Sequence, residues 1–204
     1  MPPSFEEQEY WHQRFENEAC FEWLVPSATF MSILDPFLDD YLPSCRILHI
    51  GFGTSDLQNH LRARGFTNVL NIDYEPLAIF RGQQREKETF GNVQMKYAVA
   101  DVTSNRHQSQ QRFDIVVDKS TVDAVSCGGE EAFVKMLRSV SECLDGPGGI
   151  WISLSYSSQR FVLEKEEHMP FDVQEIARIP VPKSRATDPQ VYYYCYLMRP
   201  RCSG

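Results

Sequence analysis

Four stretches of the 204-residue chain place a carboxylate, a lysine or a pair of glycines at the end of a short apolar run. "CRILHIGFGTSDLQNHL" breaks at Gly51 and Gly53, where missing side chains let backbone N–H groups approach a ligand. "NVLNID" ends on Asp73, 22 positions after Gly51. A carboxylate there accepts hydrogen bonds from both hydroxyls of a ribose, which an amide or a hydroxyl satisfies less well. "QMKYAVAD" ends on Asp101, a carboxylate suited to the amino group of an adenine, and "FDIVVDKS" carries Asp118 and Lys119. The chemistry open to this set is the capture of a nucleoside. For the glycines alone, a structural turn is an equally good reading.

These positions converge only if the apolar runs are neighbouring strands. "RILHI", "NVLNID", "QMKYAVAD", "FDIVVDKS" and "IWISLSYSS" read as strands, separated by helical patterns in "SDLQNHLRAR", "EPLAIFRGQQREKE" and "EEAFVKMLRSVSECL". Gly65 and "GPGG" stop two of the helices, and Pro76 suits a first helical position. This alternation predicts an α/β fold: a Rossmann-like doubly wound sheet of about seven strands, mostly parallel, binding its ligand where the strand order reverses. "VQEIARIPV" and "QVYYYCYLMRP" predict an antiparallel hairpin at one edge.

Ahead of the sheet, Ser4-x-x-Glu7 reads as a capping box opening a helix with Tyr10, Trp11, Arg14 and Phe15 on one face. A second helix follows Pro26, with Phe30, Ile33, Leu34, Phe37 and Tyr41 as its stripe; Pro36 is expected to break or kink it and Pro43 to end it. The expected organisation is one domain over 1–204: a helical cap (1–44), a βα core (45–155) and a C-terminal hairpin (156–204).

A nicotinamide dinucleotide would use the same geography. Its fingerprint needs a third glycine where this chain has Asp56, and a carboxylate at a helix start repels a pyrophosphate. An adenosine without phosphate fits better, which points to S-adenosylmethionine.

The chain resembles the class I S-adenosylmethionine-dependent methyltransferases across residues 45–199. More narrowly it is similar to the methyltransferase-like lysine methyltransferases of translation elongation factor 1A. The motifs are "EYWHQRF", "FEWL", "RILHIGFGTSDL", "NVLNIDYE", "FDIVVDKSTVDAV" and "ISLSYSSQRF", in family order. The resemblance implies that aromatic residues of the N-terminal segment, here Trp11, Phe15 and Trp23, hold the cofactor. It puts the motif I glycine on Gly51 and the ribose acid and its neighbour on Asp73 and Tyr74. The adenine-side pair falls on Asp101 and Val102, and the strand-four lysine on Lys119. Departures are His49, Phe52 and Thr54 around the glycines, and "DKSTVDA" at 118–124 where the family has "EKGTLDA".

On residue types alone, Trp11 and Trp23 also read as core aromatics covering the sheet, and Lys119 as a strand-end lysine. "EKEEH" reads as a solvated charge run and "YYYCY" as strand packing that could also border a groove. Asp118 and Asp123 are candidates to orient an acceptor amine, with no catalytic residue assigned. His12, His49, His60, His107 and His168 lack ligand spacing, and the six cysteines form no CxxC, so no metal is expected.

The formal charge of −8 argues against nonspecific nucleic-acid binding. The N-terminus is acidic and amphipathic, no apolar run nears the roughly 20 residues of a membrane span, and the cysteine usage suits a reducing compartment. The expected location is therefore cytoplasmic. The expected function is methyl transfer from S-adenosylmethionine, with S-adenosylhomocysteine as product, to a lysine of an elongation-factor-like protein. A small-molecule O-, N- or S-methyltransferase and a catalytically silent cofactor-binding protein are the alternatives.

Overall fold

The computed structural model describes residues 3–104 and 111–201. His107 and Cys202 lie outside them. Two helices, α1 (Gln8–Asn17) and α2 (Ser27–Leu38), precede a βα series. It runs β1 (Ile47–Ile50), α3 (Leu57–Ala63), β2 (Val69–Asp73), α4 (Pro76–Phe90), β3 (Lys96–Val99) and β4 (Ile115–Lys119). Then come α5 (Thr121–Cys127), α6 (Glu130–Cys143), β5 (Ile150–Ser155), β6 (Phe171–Pro180) and β7 (Tyr192–Pro200).

The seven strands form one sheet in the order β3-β2-β1-β4-β5-β7-β6. β1 to β5 are parallel, while β7 runs antiparallel between β5 and β6. The expected sheet and edge hairpin are thus observed. The chain winds outward from β1 to β3 and then jumps to β4 on the other side of β1. The connections leaving the carboxyl ends of β1 and β4 therefore turn to opposite faces of the sheet, into α3 and α5, and leave a crevice at the reversal.

Alternation along the strands divides the core in two. Ile47, Ile115, Val117, Ile150, Ile152 and Leu154 face one side, where Phe30, Leu34 and Leu38 of α2 and Leu57 and Leu61 of α3 cover them. Leu48, Val116, Trp151 and Met198 face the other, under Met136, Leu137 and Val140 of α6. Central strands buried on both faces have no polar side, which is why they read as continuous apolar runs.

Two local expectations need correcting, and one helix was not among those expected. The Ser4 hydroxyl caps nothing: the Glu7 N–H donates to the Ser4 carbonyl at 3.0 Å in a turn, and α1 starts at Gln8 without a side-chain cap. Pro36 sits inside α2 and does not break it; the helix ends at Leu38, before Pro43. "STVDAV" forms the extra helix α5, too short for its period to show.

Candidate active site

A cavity of about 530 Å³ opens at the β1/β4 reversal. Ten of the eleven expected site residues line it: Trp11, Phe15 and Trp23 from the N-terminal segment; Gly51 and Gly53 after β1; Asp73 and Tyr74 after β2; Asp101 and Val102 after β3; and Lys119 ending β4. Asp118 does not. Successive strand residues point to opposite faces, so with Lys119 at the cavity Asp118 turns into the far core. There it accepts from Trp151 Nε1 at 2.8 Å and from the Val122 N–H at 3.2 Å. Burial pushes its pKa up to about 7.

Asp73 is buried and stationed by two backbone amides. Its Oδ2 accepts from Gly53 N–H and its Oδ1 from Glu75 N–H, both at 2.9 Å. Each carboxylate oxygen has a second lone pair, so two hydroxyls can still be received. Burial, only partly offset by those N–H groups, raises its pKa to about 6. Asp101 is exposed; its Oδ1 accepts from the Thr103 N–H and hydroxyl at 2.8 and 2.7 Å. This Asx turn leaves Oδ2 for a ligand amino group.

The glycines serve a different purpose from the one expected. Their N–H groups do not face a ligand: Gly51 donates to the Ile72 carbonyl at 2.7 Å, and Gly53 to Asp73. Both have φ of 55°, and a Cβ on Gly51 would lie 2.3 Å from Thr121 Oγ1. Glycine lets the β1–α3 turn close against α5 and turn an amide onto Asp73.

The N-terminal segment roofs the cavity. Trp11 packs 5.6 Å from both Phe15 and Trp23, ring centre to ring centre, and its Nε1 donates to the Phe5 carbonyl at 2.7 Å. Arg14 does not line the cavity; its guanidinium lies over Trp23 at 4.5 Å and Phe21 at 4.6 Å and fastens the roof.

Lys119 ties this roof to the sheet. Its ammonium donates to the Trp23 carbonyl at 2.9 Å and pairs with Glu22 Oε2 at 2.8 Å. Burial lowers the lysine's pKa, with Glu22 opposing. Burial also pushes Glu22 upward, but Lys119 and its hydrogen-bond donors outweigh this and hold it below the usual range. Glu22 Oε1 accepts from Ser27 Oγ at 2.8 Å and from Asp56 N–H at 3.2 Å. A protein carboxylate therefore already occupies the amino end of α3, where a dinucleotide would place its pyrophosphate. Lys119→Met is expected to cost about 2–3 kcal/mol in urea unfolding, below the 3–5 kcal/mol of fully buried pairs because Glu22 is about a quarter exposed. The double variant Lys119→Met, Glu22→Gln should recover most of the loss; strictly additive losses would mean the pair is not coupled.

Phe5, Phe21, Leu24, Ser120, Thr121 and Tyr156 also line the cavity and were not anticipated. Asp123 lines it too, but its carboxylate is saturated. Oδ1 accepts from Ser155 Oγ at 2.5 Å and Arg160 Nε at 2.8 Å, and Oδ2 from Tyr156 N–H at 3.0 Å and Ser120 Oγ at 3.3 Å. It has no vacant position from which to take an acceptor's proton. His49 is buried beside Asn71, with Nδ1 3.0 Å from Oδ1, and burial lowers its pKa to about 4. Among the described residues no group of three His, Cys, Asp or Glu side chains could hold a metal, and no helix is long and apolar enough to cross a membrane.

Fold and site together define an α/β protein of the doubly wound class with a cavity at its strand-order reversal, roofed by a separate N-terminal segment. Residues 42–184 match the family described as "Methyltransferase domain". A Neurospora crassa relative, "Methyltransferase srdJ", is 53% identical over 203 residues, covering 98% of this chain and 85% of its own. The mouse protein "EEF1A lysine methyltransferase 4" is 30% identical over 182 residues, covering 82% of this chain and 68% of its own. Magnesium protoporphyrin IX methyltransferase from Synechocystis shares the fold, with a TM-score of 0.66 at 13% identity and 98% of each chain covered. The chain belongs to the methyltransferase-domain family; it is a class I, S-adenosylmethionine-dependent methyltransferase. The cavity fits that cofactor: a buried carboxylate with two vacant lone pairs, an exposed carboxylate at the end of the neighbouring strand and an aromatic roof.

Proposed function

We propose that the enzyme methylates a lysine side chain of an elongation-factor-like protein. The observation that carries this reading is the 30% identity to the mouse enzyme, whose name states that substrate, over 82% of this chain. The motifs shared with that branch include the roof and both turns at the reversal.

In this reading Asp73 accepts the ribose hydroxyls, with Tyr74 beside it. Asp101 takes the adenine amino group and Val102 packs against the ring. Trp11, Phe15 and Trp23 exclude water, and Gly51 and Gly53 shape the turn beneath. Lys119 works through the roof: it touches Glu22 and Trp23 and keeps them over the cavity. When bound, the cofactor supplies a methyl group already activated by its sulfonium. The protein's share is positioning and desolvation. A lysine amine must arrive neutral, because a protonated amine has no lone pair. The saturated hydrogen bonding of Asp123 leaves that proton to solvent, so turnover should rise with pH until the amine is largely neutral.

The test is labelling with radioactive S-adenosylmethionine in whole-cell extract, separating protein from low-mass label. We expect label on a lysine of a protein of the elongation factor 1A class. Label confined to the low-mass fraction would replace this reading with the small-molecule one, and no transfer at all would favour a silent cofactor-binding protein.

A further inference from the structure

Two non-glycine residues among those described have left-handed backbone: Leu24, with φ of 64°, and Ser120, with φ of 74°. Both line the cavity. L side chains adopt this region at a cost, and such outliers persist where neighbouring contacts over-determine them. At Leu24 those contacts converge on the Trp23 carbonyl, which receives the Val25 N–H at 2.7 Å and the Lys119 ammonium at 2.9 Å. At Ser120 the backbone N–H donates to the Leu154 carbonyl at 2.8 Å, and the left-handed turn swings the chain from β4 into α5. Glycine would make this turn without strain. Serine adds one Cβ and one hydroxyl.

The position of that hydroxyl follows from the strand order. Asp101, Gly51, Ser120 and Tyr156 follow β3, β1, β4 and β5, and Asp73 ends β2; the strands run β3-β2-β1-β4-β5 across the sheet. The nucleoside carboxylates hold one end of this row. Ser120 and Tyr156 hold the other, where Tyr156 is 55% exposed and the Arg160 guanidinium lies 5.2 Å from its ring centre. Ser120 Oγ donates to Asp123 Oδ2 at 3.3 Å. Asp123 is a fixed partner, held by Tyr156 N–H, Ser155 Oγ and Arg160 Nε. With its proton directed to Asp123, Ser120 Oγ keeps its lone pairs for the cavity.

We propose that Ser120 Oγ is the hydrogen-bond acceptor that orients the incoming nucleophile, receiving an N–H of an amine acceptor at the β4/β5 end of the site. The assignment rests on the cofactor placement above, not on the acceptor being a lysine.

Sinefungin tests it without a known substrate, because a primary amine on carbon replaces the methyl on sulfur at the same place in the molecule. Calorimetry on the full chain compares sinefungin with S-adenosylhomocysteine. Ser120→Gly should bind S-adenosylhomocysteine within about twofold of wild type and lose about tenfold of its preference for sinefungin. Its melting temperature should rise by about 2–4 °C as the strained turn relaxes. Ser120→Asn, which tolerates left-handed backbone and carries a carbonyl oxygen, should recover part of the preference. An unchanged ratio in Ser120→Gly overturns the proposal, and so does equal loss for both ligands, the mark of a purely structural role. Wild-type protein that fails to bind S-adenosylhomocysteine would overturn the cofactor placement and this assignment with it.

Discussion

Asp73→Ala is expected to weaken S-adenosylhomocysteine binding by roughly ten- to a hundredfold. A hydrogen bond to a charged group is worth about 1.5–3 kcal/mol, and 1.4 kcal/mol is tenfold in affinity. The substitution also strips the acceptor from two amides, Gly53 and Glu75, so the β1–α3 turn loosens as the ribose contact is lost. Asp73→Asn separates the two effects, because its single carbonyl oxygen still receives one amide. Binding should depend on pH through the same carboxylate. Its pKa in the free protein is raised to about 6 by burial, and a ligand hydroxyl prefers the ionised form. Affinity should therefore be level above pH 6 and fall toward tenfold per unit as pH drops below it. The contribution to stability has the opposite sign. A carboxylate whose folded pKa is raised destabilises the fold above that pKa, and this cost disappears between pH 6 and the unfolded value near 3.8. Calorimetry at pH 5, 6 and 7.5 reads the binding arm; affinity that stays level down to pH 5 would take Asp73 out of the ligand contact.

Deleting residues 1–24 should abolish cofactor binding while the sheet stays folded. The two large core clusters draw on Val25, Phe30 and later residues, and from the deleted segment only Leu24 packs against either. Phe15 belongs to a separate small cluster with Phe52 and Ala78, so its loss uncovers Phe52 without opening the main core. The deletion removes Trp11, Phe15 and Trp23, and it leaves Lys119 buried without Glu22. Far-ultraviolet circular dichroism should remain that of a mixed α/β protein, with a lowered melting temperature. Near-normal binding by the truncated chain would reduce the aromatics to packing.

The strands and their ends were legible because central parallel strands carry no polar face. The carboxyl ends then fall on the first charged or flexible residue after each run. That is why Asp73, Asp101 and the glycine pair were found from spacing. The same logic could not separate Asp118 from Lys119: both close β4, and only the register decides which faces the cavity and which Trp151. The glycines line the cavity, but for a reason spacing does not carry, since the Thr121 side chain that demands Gly51 comes from another element. Lys119 and Trp23 meet across 96 positions, which no local pattern reveals. Ser120 was visible as a departure from the family motif, but only the backbone shows what the departure costs. Tyr156, Phe5 and Phe21 come in on loops, where neither a period of two nor one of 3.6 points a side chain anywhere.

The central claim is that the cavity at the β1/β4 reversal holds an adenosine and has no place for a pyrophosphate. The most direct measurement is a calorimetric titration of the full chain with S-adenosylhomocysteine and, in parallel, with NAD at pH 7.5. The account predicts a single saturable site for S-adenosylhomocysteine and no heat of binding for NAD, because Glu22 already occupies the amino end of α3. Equal binding of both ligands, or binding of NAD alone, would contradict it.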